Sequence, residues 1–350
     1  MAFHELTVAK VERVAEDAVA VTFDVPESAK GAFDWRPGQF LTLRTDVDGE
    51  DIRRSYSIAS PPGGPLMVGI RAVEDGRFST FAQGLEPGQR LNVMPPEGRF
   101  VSGDEEDLLL IAAGSGITPM MAIASDALAR GAQVTLVYGN RALGTIMFRD
   151  RIDALKDKYL GQLAVLHLLS REVQDVPLFN GRIDAEKVSI LAKSDLISPH
   201  KADGVFLCGP GEMIEEMRGA LTNLGVAPER IHQERFTADG TAPPKPRSKA
   251  AEVAVRDGVT VEVVMDGARK RFVMGAEDGS VVDAAARAGL ELPYSCKGGM
   301  CCTCRCRVTE GGTEMAVNYS LEPWEIDAGY TLACQSRPIS KTLTLDFDAV

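Results

Sequence analysis

Five cysteines crowd into eleven positions in the stretch SCKGGMCCTCRC: Cys296, Cys301, Cys302, Cys304 and Cys306. If several of these sulfurs meet, the chain between them must curl around a common point. Few folds can hold such a loop. The chain has seven cysteines, and six lie after residue 290. An oxidised extracellular framework would spread an even number along the chain, so disulfides are the weaker reading. The opening MAFHELTVAKVERVAEDAVA scatters charge among its apolar residues and has no signal-peptide core. Apolar runs such as LLLIAA at 108–113 are far short of the ~18–20 residues of a spanning helix. A net charge of −12 opposes a nucleic-acid or anionic-membrane surface. A cytoplasmic protein is expected, with neither nucleic acid nor membrane as partner. Clustered thiols in that reducing compartment point to metal.

Spacing narrows the choice of metal. Cys296, Cys301 and Cys304 read C-x4-C-x2-C, and 29 residues separate Cys304 from Cys334. This is the ligand spacing of a [2Fe–2S] cluster of the plant type. Zinc is the rival, since Cys301-x2-Cys304 alone would suit a knuckle. Structural zinc wants a second close pair of ligands, however. The remaining candidates are isolated cysteines and four histidines, His4, His167, His200 and His232, without ligand spacing. Gly298 and Gly299 sit where the loop must bend and bring backbone N–H groups close to the sulfurs. Exchanging Cys302 for Cys301, or Cys306 for Cys304, breaks the pattern. Both are read as small hydrophobes in or beside a strand starting near Arg305.

At 350 residues the chain exceeds what one core usually serves. Residues 1–103 hold short alternating stretches such as VAVTFDVP, QFLTLRT, SYSIAS and LMVGIRAV, bounded by Gly and Pro. They predict an antiparallel β-barrel or β-sandwich. From 104 to 236, LLLIAAG, VTLVYGN, LAVLHLLS and GVFLCG alternate with helical patterns, which predicts a parallel α/β sheet. TADGTAPPKPRSKA (237–250) has no periodicity and three prolines, so it reads as a linker. Extended at ~3.1 Å per residue it reaches roughly 40 Å. From 251 to 350, VTVEVVMDGARKRFVM predicts a hairpin turning at Asp266-Gly267, and SVVDAAARAG predicts a helix before the cysteine loop.

Upstream motifs offer a source of electrons. RRSYSIAS (53–60) places Arg54 and Tyr56 on one strand face, with Ser57 next. A flavin needs an aromatic face, a hydroxyl near its reactive nitrogen and a cation for phosphate. The four-residue pattern alone would equally describe a strand with a surface arginine. GRFSTF (76–81) offers Ser79 and Thr80 as a second phosphate-binding turn. AAGSGITPM (112–120) follows a strand and opens a helix. There Gly114 and Gly116 permit close approach, Thr118 is the expected N-cap and Pro119 the first helical residue. Such a helix N-terminus suits pyrophosphate, although G-x-G-x-x-G is absent. VFLCGPGEM repeats the device at Cys208, Gly209 and Pro210, and HQERF closes the segment with Glu234 and Phe236.

The last hundred residues resemble a plant-type ferredoxin domain, through CKGGMC and LACQSRP, which implies an α+β (β-grasp) fold. Residues 1–236 resemble the ferredoxin–NADP reductase superfamily, which implies a FAD-binding barrel and a nicotinamide-binding α/β domain. The resemblance implies that Tyr56 stacks on the flavin, Ser57 bonds near its N5, and Arg54, Ser79 and Thr80 hold its phosphates. Gly114, Ser115, Gly116 and Thr118 would face the dinucleotide. Cys208, with Gly209 and Pro210 after it, and Glu234 would flank the nicotinamide. Phe236 falls where relatives cover the flavin. Ser170 and Arg171 end a strand where relatives test the adenosine 2′-phosphate. Arginine there favours NADPH, and an acidic residue would favour NADH.

The whole chain resembles the reductase components of bacterial oxygenases. Among these it is most similar to the reductase subunits serving ring epoxidation of phenylacetyl-CoA, through FHELTVAKVERVAEDAVAVTFDVP, LPYSCKGGMCCTCRCRV and NYSLEPWEIDAGYTLACQSRP. The resemblance implies that electrons pass from NADPH to FAD to [2Fe–2S] to a di-iron oxygenase complex, whose subunits bind the CoA ester. A hydride carries two electrons and the cluster one, and a flavin can divide the pair. Residues 251–350 hold 15 acidic and 10 basic residues, and the remainder is acidic too. A tether rather than charge attraction would then hold the parts together. A reductase for another aromatic hydroxylase or dioxygenase fits the same motifs, as does a non-catalytic [2Fe–2S] redox sensor. Cys302→Ser and Cys306→Ser are expected to keep the visible iron–sulfur absorption. Its loss in either variant would reassign the ligands.

Overall fold

Alternate burial in Arg90–Val93, with Leu91 and Val93 inward, is the period that builds the first hundred residues. The computed structural model describes residues 3–236 and 244–349. They form two units divided after Phe236. The first begins with strands β1 (His4–Ala15), β2 (Ala18–Asp24), β3 (Phe40–Val47), β4 (Glu50–Ser57) and β5 (Leu66–Arg71). Helix α1 (Arg77–Ala82) and strand β6 (Arg90–Val93) follow. The antiparallel order is β4-β3-β6-β1-β2-β5. Its edges meet where Ile58 bridges Val68 and the Ala59 N–H donates to the Met67 carbonyl at 2.8 Å. That contact closes the sheet into a barrel around Leu6, Val21, Leu41 and Ile70.

Strand and helix then alternate: β7 (Asp107–Ala113), α2 (Ile117–Arg130), β8 (Gln133–Asn140), α3 (Arg149–Lys158), β9 (Leu163–Leu169), α4 (Ala185–Lys193), β10 (Gly204–Gly209), α5 (Gly211–Asn223) and β11 (Ile231–Arg235). The sheet is parallel, in the order β11-β10-β7-β8-β9. Periodicity did not single out α4, whose start is set by the Asp184 carboxylate accepting the Lys187 N–H at 2.7 Å. The chain winds outward from β7 through β9 and then returns to add β10 on the other side. This leaves a crevice at the strand ends between β7 and β10, where open α/β sheets bind ligands. Met67 and Ala20 from the barrel's outer face share one core with Ile117, Met120 and Phe148. Barrel and sheet are therefore a continuous body.

The second unit contains α6 (Lys249–Asp257), β12 (Val259–Met265), β13 (Ala268–Met274), α7 (Val281–Arg287), β14 (Arg305–Met315), α8 (Pro323–Asp327), β15 (Tyr330–Leu332) and β16 (Ser336–Asp346). Its sheet runs β13-β12-β16-β14-β15, with only β12 and β16 parallel among these pairings. Val281, Val282, Ala284 and Ala285 of α7 are buried against it. Of the stretch expected as linker, residues 237–243 lie outside the described residues. The Lys245 N–H donates to the Ala316 carbonyl at 3.1 Å, and Ser248 caps α6 by accepting the Ala251 N–H at 3.2 Å. Composition missed this helix because its polar cap follows directly on the proline run.

The hairpin turns at Asp266 and Gly267, with φ of 51° and 72°. Gly267→Ala puts a Cβ into left-handed backbone, at a cost of about 1–2 kcal/mol. A lower thermal midpoint for the second unit, followed by loss of cluster absorption on heating, is the expected result.

Candidate active site and cluster site

β4 presents Arg54, Tyr56 and Ser57, and pairing with β3 sets Tyr56 opposite Leu41 and Arg54 opposite Leu43. The Tyr56 ring packs on Phe78 of α1, with centroids 5.5 Å apart at 41°. Phe78 is buried and meets Phe81 edge-on at 5.9 Å. Helix α1 thus braces the aromatic ring expected to face the flavin. The Ser79 hydroxyl is occupied within its own turn, donating to the Gly76 carbonyl at 3.0 Å and accepting the Val73 N–H at 3.2 Å. Of that pair, Thr80 alone is exposed.

Ser57 and Glu234, 177 residues apart, meet: the serine Oγ donates to the Glu234 Oε2 at 3.4 Å. The β10–β11 ladder sets Glu234 beside Cys208. Desolvation pushes the Glu234 carboxyl up to about 8 against the opposing bond from Ser57. It therefore stays protonated to a higher pH than an exposed carboxylate. Burial, and then the Glu234 charge, push the Cys208 thiol up as well. Phe236 packs half-buried on the core that contains Cys208. Gly209 is buried and Pro210 exposed.

Gly114, Ser115 and Gly116 form a 3-10 turn ahead of α2. A Cβ on Gly116 would lie 2.1 Å from the Cys208 carbonyl oxygen, so this crossing of the crevice admits only glycine. Thr118 is not the cap that was expected. The 3-10 turn starts the helix at Ile117, so Thr118 lies inside it, buried, and its hydroxyl donates back to the Ser115 carbonyl at 2.9 Å. Two residues that motif reading missed hold the turn. The Tyr138 hydroxyl donates to the Gly114 carbonyl at 2.9 Å, and an Arg71 guanidinium nitrogen lies 2.9 Å from where a Gly114 Cβ would be. Arg71 is anchored by Asp17 at 3.1 Å and by the Thr145 carbonyl. Neither has a local signal, since an arginine ending one strand and a tyrosine inside another are ordinary. A glycine cradle beside a fixed cation fits a pyrophosphate. Beyond the ends of β8 and β9, the Ser170 N–H donates to the Asn140 carbonyl at 3.0 Å and the Arg171 N–H to the Arg141 carbonyl at 2.8 Å. Both arginines are exposed there.

In the second unit the thiols of Cys296 and Cys301 hydrogen-bond to each other, as do those of Cys304 and Cys334. The bond from Cys301 holds Cys296 below the ordinary thiol range despite burial, helped by backbone N–H groups of Gly298, Met300 and Cys301. The Gly298 N–H stands 3.3 Å from the Cys296 sulfur. Cys301 and Cys304 are pushed up by the bonds to their partners and by burial. Two sulfur pairs ringed by N–H donors suit an anionic two-iron group. Among the described residues no three His, Cys, Asp or Glu side chains are arranged to hold a metal ion. The loop is clamped at Gly299, whose carbonyl accepts the Tyr319 N–H at 3.0 Å and the Ser320 hydroxyl at 3.2 Å. Gln335, also missed, donates to the Lys297 carbonyl at 2.6 Å and lies 3.5 Å from the Cys334 sulfur. Cys306 is fully buried in β14, and Cys302 is half-buried at φ 58°.

Family profiles match in three places: the oxidoreductase FAD-binding domain at 5–101, the oxidoreductase NAD-binding domain at 110–219, and the 2Fe-2S iron-sulfur cluster binding domain at 263–338. The chain is 45% identical to a subunit of the 1,2-phenylacetyl-CoA epoxidase of Escherichia coli, over 99% of this chain and 98% of that one. It is 36% identical to the 3-ketosteroid-9-alpha-monooxygenase ferredoxin reductase component of Rhodococcus rhodochrous, over 98% and 96%. The fold resembles that of phthalate dioxygenase reductase, at 22% identity and a TM-score of 0.62 over 99% of this chain and 98% of that one.

Reduction of the flavin by the nicotinamide substrate is expected to slow above about pH 8, where the Glu234 carboxyl beside Ser57 ionises. Glu234→Gln, neutral at every pH, should keep the neutral-pH rate and stay flat between about pH 6 and 9. Stopped-flow bleaching of the flavin reads both. An inflection that persists in the glutamine variant would exonerate Glu234.

Proposed function

Because the chain belongs to the family of FAD- and [2Fe–2S]-containing oxygenase reductase components that its 1,2-phenylacetyl-CoA epoxidase relative represents, we propose that it takes electrons from NADPH and delivers them to a di-iron oxygenase complex that epoxidises phenylacetyl-CoA. The family makes it an NAD(P)H-dependent oxidoreductase. Bound in their sites, FAD divides a hydride into single electrons and the cluster carries them one at a time.

The observation that carries the electron-transfer reading is the Ser57–Glu234 contact, which joins the flavin-side strand to the nicotinamide-side strand. In this reading Tyr56, braced by Phe78, supplies the flavin's stacking face, with Arg54 and Thr80 toward its phosphates. Gly114 to Gly116 and Arg71 hold the pyrophosphate. Ser57 and Glu234 keep a proton beside the hydride's destination, and Cys208 closes the nicotinamide pocket to water. Cys296 with Cys301, and Cys304 with Cys334, are the ligand pairs of the cluster. Full-length similarity to the epoxidase relative supports the acceptor. The thiol-rich loop supports a reducing, cytoplasmic setting. A second reading, a reductase for a steroid-type monooxygenase, draws on the 36% full-length relative.

Adjacent Arg141 and Arg171 favour NADPH through its 2′-phosphate. Arg171→Glu is expected to lower kcat/KM for NADPH about thirty-fold, with that for NADH little changed. With a purified phenylacetyl-CoA oxygenase complex, oxygen and NADPH, the ring epoxide should form only when this chain is present. No epoxide, with cytochrome c still reduced, would send the acceptor assignment to another oxygenase. Stoichiometric reduction without turnover would favour a sensor.

A further inference from the structure

Helix α8 is short, yet it is held firmly and displays a large apolar side chain to solvent. Trp324 is 62% exposed and Ile326 44% exposed. Between them Glu325 is fully buried, and its carboxylate accepts from Arg305 Nε at 2.9 Å. Its other oxygen accepts the Glu322 N–H at 3.0 Å. The Arg305 guanidinium lies 3.6 Å over the Tyr330 ring. Arg305 directly follows Cys304, and the segment leading into α8 clamps the cysteine loop at Gly299 through Tyr319 and Ser320. The start and the middle of this exposed element are thus tied to the sulfur loop.

We propose that Trp324 and Ile326, rimmed by the exposed Glu322 and Asp327, form the surface that docks the acceptor oxygenase, seating in an apolar pocket bordered by lysine and arginine. This rests on the acceptor reading above. A tryptophan held in place before binding gives up little freedom on docking, and tryptophan is the residue most often found at the energetic centre of an interface. The acidic rim selects a basic partner and speeds encounter. Residues 1–250 and 251–350 of this chain each carry an acidic excess, so overall charge draws neither a second copy nor the chain's own first unit to this acidic rim, and a separate basic acceptor is the better match. Each encounter moves one electron: the cluster is oxidised by one, the acceptor's iron centre is reduced by one, and no proton or group crosses. Two encounters discharge one hydride's pair.

The test uses the full-length holoprotein and the purified phenylacetyl-CoA oxygenase complex. Trp324→Ala is expected to weaken binding about thirty-fold by calorimetry and to slow epoxide formation at limiting reductase. Trp324→Phe should recover most of the affinity. Glu322→Gln with Asp327→Asn should lower the association rate several-fold, with a shallower dependence on salt. Cluster absorption and NADPH-driven ferricyanide reduction serve as the check on folding and flavin chemistry, and both should be unchanged. Wild-type coupling with unaltered binding by Trp324→Ala overturns the docking surface alone. Slower cluster reduction by NADPH in Trp324→Ala, with acceptor affinity intact, also overturns it and assigns the face to the chain's own flavin-binding unit. Failure of the wild type to bind or drive the oxygenase overturns the acceptor reading and this surface together.

Discussion

Strand β4 of the barrel and β11, the last strand of the first unit, meet in one hydrogen bond, from Ser57 to Glu234. That contact requires the barrel to be seated against the open end of the parallel sheet, and the shared core of Met67, Ala20, Met120 and Phe148 holds it there. The crevice would not exist without the switch in winding between β7 and β10. It would be blocked if Gly116 carried a side chain against the Cys208 carbonyl. Burial then does the electrostatic work. Poor solvation in the cleft shifts the Glu234 carboxyl toward its protonated form.

The second unit solves a different problem, the assembly of like charges. A cluster held by four cysteines gathers negative charge, so the loop that holds one needs donors and a stiff frame. Backbone N–H groups of Gly298, Met300 and Cys301 supply the first. The frame comes from outside the loop: Gln335 on the Lys297 carbonyl, Tyr319 and Ser320 on Gly299, and Lys297 paired to Asp283 at 2.8 Å. The buried Arg305–Glu325 pair extends that frame to α8. Residues 319–325 thus tie the exposed helix α8 to the frame of the cysteine loop.

Much of the fold is legible in the chain alone. Alternation along Arg90–Val93 and in Val259–Met274 marks strands because a half-buried pleat demands it. The cysteine spacing reads Cys296, Cys301, Cys304 and Cys334 as ligands and sets Cys302 and Cys306 apart. Local reading fails where a nonlocal contact decides. Thr118 has the look of a cap, but the turn at Gly114 moves the helix start. Ser79 has the look of a free ligand, but its hydroxyl is bound within its own turn. Helices α4 and α6 escape periodicity because single polar caps, Asp184 and Ser248, set their starts beside irregular sequence.

By itself the sequence determined which chemistry is present, because ligand spacing, glycine turns and strand periodicity are local and survive without a fold. Tertiary structure alone decided which groups act together. Arg71, Tyr138 and Gln335 carry no motif, and each gains a role only from the segment that folds against it. The upward shift of the Glu234 carboxyl and the exposure of Trp324 belong to the same class. Solvation depends on everything packed around a group, and no run of neighbouring residues encodes it.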